Sequence, residues 1–106
     1  KAVNNHGATL LINRENATVV DIRSQDEFAK GHLAGAHHLP LTQIQANNLG
    51  PVEKHKDAPI IVVCESGMTA GGAGRQLSKA GFKQVYVLSG GMAQWRADNL
   101  PVTKKR

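Results

Sequence analysis

The chain has 106 residues, 41% hydrophobic and only 4% aromatic, with a formal net charge of +5. That length holds one small domain with a mainly aliphatic core, and not two. One cysteine excludes an internal disulfide framework, and no run reaches the roughly 18 apolar residues of a membrane span.

Ala8 to Asn13 predicts a short helix with Leu10 and Leu11 turned to the core. Thr18 to Ile22 follows as a β-branched strand that carries an acid, Asp21. Ser24 and Glu27 form the capping-box pattern, so Gln25 to Lys30 predicts a helix, stopped by Gly31. Gly35 to Pro40 reads as a short strand running into a proline turn. Thr42 to Asn47 and Val52 to His55 read as short helices broken by Gly50-Pro51.

Ile60 to Val63 is the strongest strand. Ala70 to Lys79 predicts the next helix, with Gly81 just beyond its end; close packing would account for Gly71, Gly72 and Gly74 near its start. Gln84 to Leu88 is a strand, and Gly90-Gly91 turns into a helix over Met92 to Asp98. Residues 1–7 and 103–106 are expected as flexible ends of a single domain, with Lys104-Lys105-Arg106 a solvated basic tail. The alternation of strand and helix predicts an α/β fold, a mostly parallel sheet with helices on both faces. Reactive groups of such sheets collect at the carboxyl ends of strands, where Cys64, Asp21 and Ser89 fall.

Cys64 ends the apolar run and opens the stretch Glu65-Ser66-Gly67-Met68-Thr69-Ala70. A lone cysteine after a strand is by itself more often a small buried hydrophobe. A tight loop leading into a helix changes that reading, because its N–H groups point at the sulfur and favour the thiolate. Glu65 opposes it: a carboxylate about 7 Å away at an effective dielectric near 40 costs roughly 1 kcal/mol. Ser66 and Thr69 offer hydroxyls, either to the sulfur or to the loop and helix cap. Met68 is placed on the rim, and Trp95 and Phe82 in the core. His37 and His38 are neighbours on a strand, so they face opposite sides and do not chelate a metal together. One Cys and five scattered His make no zinc-ligand spacing.

From Thr18 to Val102 the chain resembles the single-domain rhodaneses, the bacterial forms in particular, some of which carry an N-terminal membrane anchor. The resemblance lies in three blocks. The first is Val20-Asp21-Ile22-Arg23 with Glu27-Phe28 and Gly31-His32-Leu33-Ala34-Gly35-Ala36. The second is the strand and loop around Cys64. The third is Ala80-Gly81-Phe82, Val85-Tyr86-Val87-Leu88, Gly90-Gly91 and Trp95. It implies a rhodanese-like fold and a sulfurtransferase in which Cys64 attacks the outer sulfur of a donor, holds it as a persulfide and passes it to a thiol or cyanide.

The resemblance also implies that Glu65, Ser66, Gly67, Met68, Thr69 and Ala70 bind the substrate, without metal or organic cofactor. The family often has basic residues where Glu65 and Thr69 stand, so thiosulfate turnover is expected to be low. Arg23 is expected near the mouth or, in preference, paired with Asp26 or Glu27. Asp21 and His32 are expected to be structural, since a thiolate attacking sulfur needs no general base.

A weakly catalytic module for partner binding or redox sensing is the alternative reading. A cysteine phosphatase is disfavoured, because Thr69 cannot clamp phosphate as a guanidinium does. Nucleic acid is not an expected partner, since no basic stripe is interleaved with aromatics. The expected location is the cytoplasm, which suits a reduced thiol. Because the chain opens on Lys1 rather than Met, there is room for a membrane tether through a segment outside these residues.

Overall fold

The computed structural model describes residues 1–104, so Lys105 and Arg106 of the basic tail lie outside the described residues. Five parallel strands form one sheet: β1 (Ala2–Val3), β2 (Thr18–Asp21), β3 (His37–His38), β4 (Pro59–Val63) and β5 (Gln84–Leu88), in the order β1-β5-β4-β2-β3. The connecting helices are α1 (Asn5–Glu15), α2 (Gln25–Lys30), α3 (Leu41–Gln45), a 3-10 helix (Gly50–His55), α4 (Ala70–Lys79) and α5 (Gly91–Ala97).

β4 is central and buried along its whole length. Successive side chains of a strand point to opposite faces, which splits the core in two. Ile60, Val62 and Cys64 face Leu39, Ile44, Ala73, Leu77 and Phe82. Ile61 and Val63 face Ala8, Leu33, Leu88, Met92 and Trp95. Cys64 therefore inherits the side of the sheet that α3 and α4 cover. β2 keeps the same parity, with Val20 and Ile22 in the first cluster and Val19 in the second.

The predicted bounds of α2, α4 and β5 hold, and both halves of the Ser24–Glu27 capping box are formed. Phe82 and Trp95 are core, as expected, and the indole N–H of Trp95 donates to the Pro101 carbonyl at 2.9 Å. Other expectations are corrected. Residues 1–7 are not a free end: β1 pairs with β5, and Asn4 caps α1 by accepting from the Gly7 N–H. Helix α1 is longer than predicted, and Leu10 stays half-buried while Ala8 takes the core position.

Gly50-Pro51 opens the 3-10 helix rather than breaking a pair of helices, because proline in a first turn forfeits no hydrogen bond. Thr103, placed in the flexible C-terminal end, forms an antiparallel bridge with His32. Close packing accounts for Gly74 alone of the three α4 glycines. A Cβ there would stand 3.3 Å from Val85 and 3.4 Å from Val87, while Gly71 and Gly72 face only the Arg75 side chain.

Leu77 is fully buried, so Leu77→Ala is expected to cost about 2–5 kcal/mol. Leu10→Ala should cost no more than about 1 kcal/mol, the share of a partly exposed leucine. Urea unfolding of the two variants checks the contrast.

Candidate active site

The site is built where β4 ends. Cys64 is the residue after the strand, and its side chain is nearly buried beneath a loop whose Ser66, Met68 and Thr69 are exposed. The Gly67 N–H donates to Cys64 Sγ at 3.0 Å. Gly67 turns the chain with φ of +91°, and a Cβ there would stand 2.1 Å from the Ser89 carbonyl oxygen, so only glycine fits.

Burial alone would push the Cys64 thiol up. The Thr69 hydroxyl and the backbone N–H groups of Thr69, Ala70 and Gly67 more than offset it, and the thiol is held below its ordinary value. The cradle thus comes from the second half of the loop and the first residue of α4. Thr69 stands at the α4 N-cap without a side-chain capping bond, so its hydroxyl serves the sulfur rather than the helix. Met68 is 86% exposed, in keeping with a rim position.

Glu65 plays a different part from the one expected. Its Oε1 accepts from Arg23 at 3.3 Å and its Oε2 from Arg96 on α5. Burial would raise the Glu65 carboxyl, but Arg96 and then Arg23 draw it below the usual carboxylate range. The carboxylate that was expected to oppose the thiolate is therefore flanked by two guanidinium groups. Arg96 went unread in the sequence. The available signal was its position one turn beyond Gly90-Gly91, at the same sheet end as Cys64.

Arg23 does not pair with Asp26 or Glu27. Its side chain is 3% exposed and holds Asp21, itself 1% exposed, through Nε and Nη2, the latter at 2.9 Å. The same guanidinium donates to the Gly31 carbonyl at 2.7 Å and reaches Glu65. The sequence neighbours lose because Glu27 is committed to capping α2.

His32 is buried. Its Nδ1 meets the Phe28 carbonyl at 2.7 Å, and its ring stacks on Phe28 at 3.7 Å. His37 and His38 do diverge: His38 stacks on Phe28 and its Nε2 meets the Arg23 carbonyl, while His37 packs against His55. Burial, then His55 and Lys54, push the His37 imidazole down. No group of three or more His, Cys, Asp or Glu able to hold a metal ion occurs among the described residues. Nor is any helix there long and apolar enough to cross a membrane.

Two predictions come from this geometry. A thiol with a lowered pKa becomes thiolate at lower pH, so alkylation of Cys64 by iodoacetamide should reach its half-maximal rate below the pH found for a free thiol. Thr69→Val removes the hydroxyl and should move that inflection upward; an inflection that stays put would remove Thr69 from the cradle. Arg23→Met leaves Asp21 buried without its counter-ion and is expected to cost about 3–5 kcal/mol, read by urea unfolding.

The model of the rhodanese-like domain matches residues 6–98. The uncharacterized protein YibN of Escherichia coli (strain K12) is 50% identical over 104 residues, covering 98% of this chain and 73% of that protein. The thiosulfate sulfurtransferase GlpE of Coxiella burnetii (strain RSA 331 / Henzerling II) is 30% identical over 97 residues, 92% of this chain and 88% of that one. Among solved structures, a rhodanese-related protein from Thermoplasma volcanium superposes with a TM-score of 0.81 at 27% identity, over 99% of both chains. With a cysteine-centred loop at the end of β4 and a family match across nearly its whole length, this chain belongs to the rhodanese-like domain family.

Proposed function

We propose that this protein is a sulfurtransferase that carries sulfane sulfur on Cys64, from a donor such as thiosulfate or a polysulfide to a thiol or cyanide acceptor. The observation that carries the reading is the ring of hydrogen-bond donors around Sγ: the N–H groups of Gly67, Thr69 and Ala70 and the Thr69 hydroxyl. Donors fixed before reaction stabilise negative charge on sulfur without reorganising. The reaction needs that stabilisation twice, on the attacking thiolate and on the persulfide that replaces it.

The chemistry is covalent catalysis in two displacements. The Cys64 thiolate attacks the outer sulfur of thiosulfate, an S–S bond forms, and the S–S bond of the donor breaks to release sulfite with its electron pair. Cyanide or a thiolate then attacks the outer sulfur of Cys64–S–S⁻. Thiocyanate or a new persulfide leaves, and the thiolate returns. Charge and electrons balance in both steps without a co-reactant.

A second reading, a weakly catalytic module for partner binding or redox sensing, is favoured by one observation. The loop carries Glu65, and that carboxylate engages the nearby guanidiniums of Arg23 and Arg96.

Intact-mass measurement after incubation with thiosulfate, and separately with inorganic polysulfide, tests the proposal. The expected result is a gain of one sulfur atom that cyanide removes and that Cys64→Ser abolishes. No gain with either donor would favour the module reading.

A further inference from the structure

Resting on the persulfide reading above, we propose that Glu65 sets the choice of sulfur donor. By holding Arg96 in an ion pair it withdraws a cation from the mouth of the loop and favours donors of low charge over the thiosulfate dianion.

Glu65 directly follows the nucleophile, and its carbonyl accepts from the Ala93 N–H at 2.9 Å. Arg96 lies three residues further along α5, on the same face, and reaches the Glu65 carboxylate. The two guanidiniums that Glu65 binds differ in what else holds them. Arg23 is fixed by Asp21 and the Gly31 carbonyl, so it stays in place without Glu65. The Arg96 side chain is 48% exposed, and Glu65 is its ion-pair partner. Removing the carboxylate therefore frees Arg96 and not Arg23.

Charge counting points the same way. A cleft of about 360 Å³ beside the loop is lined by Arg23, Lys30 and Arg96 against Glu27 and Glu65, and Asp21 lies behind Arg23. Those three cations and three acids cancel. Without Glu65 the cleft gains one net positive charge, at the residue that directly follows Cys64 in the loop. Thiosulfate brings two negative charges to this place, whereas an alkyl persulfide or a thiosulfonate brings at most one.

Methanethiosulfonate isolates the effect, since it offers a sulfane sulfur like that of thiosulfate with one charge fewer. Its reaction balances in the same way: the Cys64 thiolate takes the outer sulfur and methanesulfinate leaves. The measurement is the single-turnover rate of persulfide formation on Cys64, by mass, with each donor. The readout is the ratio of the thiosulfate rate to the methanethiosulfonate rate, which a general loosening of the loop would not move.

Glu65→Gln is expected to raise that ratio about tenfold, the effect of one unit charge about 7 Å away in half-wet surroundings. Arg96→Gln, made on the half-exposed side chain of α5, should lower the ratio below wild type. The double variant should lose the gain of Glu65→Gln, a coupling that separates Arg96 from any other cation. A ratio within about twofold of wild type in both single variants, or a gain that survives in the double variant, overturns the inference. Wild-type protein that takes sulfur from neither donor would instead sink the sulfurtransferase reading, and this inference with it.

Discussion

The first turn of α5 donates two backbone N–H groups into the cysteine loop, from Met92 to the Cys64 carbonyl and from Ala93 to the Glu65 carbonyl, each at 2.9 Å. The first N–H groups of a helix have no partner inside it, and loop carbonyls have none in a sheet, so each side satisfies the other. With those two carbonyls turned toward α5, the chain doubles back, and the N–H groups that follow close on Sγ. The contact restricts residue choice. Gly91 sits at φ of +61°, and a Cβ there would lie 2.6 Å from both loop carbonyl oxygens. Gly67 is confined in the same way by the Ser89 carbonyl. One docking contact thus explains two glycines 24 positions apart, and a side chain at either would push the loop off α5 and turn its donors from the sulfur.

Around this contact runs a chain of alternating charge, Asp21, Arg23, Glu65 and Arg96, that links β2, the end of α2, the loop and α5. Desolvation cancels much of the Coulomb gain of its buried end, so its main product is geometry rather than stability. Arg23 makes the point: one guanidinium fixes the carboxylate of Asp21, the carbonyl that ends α2 and the side chain beside Cys64. His38 holds the Arg23 carbonyl from behind, at 2.7 Å, and stacks on the same Phe28 ring as His32. The adjacent His37 and His38 part to opposite sides, His37 against His55 and His38 against Phe28.

Signals read within a few residues proved sound. The Ser24–Glu27 box, the glycine after α4 and the β-branched runs each act over one turn or one strand. The parity of β4 was hidden, because a strand buried on both faces shows no alternation: Ile60 to Val63 look alike while facing two different cores. Edge strand β1 was missed because two residues cannot display a pattern. The partners of Glu65 were out of reach for another reason. Arg23 lies 42 positions before it and Arg96 31 positions after it, while Asp26 and Glu27 stand close to Arg23 in sequence. Local charge pattern favoured the neighbours, and helix capping removed Glu27 from the competition.

The depth of the sulfur has its own consequence for the proposed cycle. Cys64 is only 3% exposed, under a rim formed by Ser66, Met68 and Thr69. A donor must bring its sulfur down to Sγ, which limits the first step to small molecules or slender ends of larger ones. The persulfide then adds a second sulfur about 2 Å beyond the first. That outer atom is nearer the rim, so the acceptor need not descend as far as the donor did. A cradle of dipoles also fades with distance faster than a net charge does. Sγ is stabilised strongly as the leaving thiolate, so an incoming nucleophile that attacks the outer sulfur expels Sγ into its cradle. The burial that narrows the choice of donor therefore leaves the acceptor broad, a division produced by the depth of one loop.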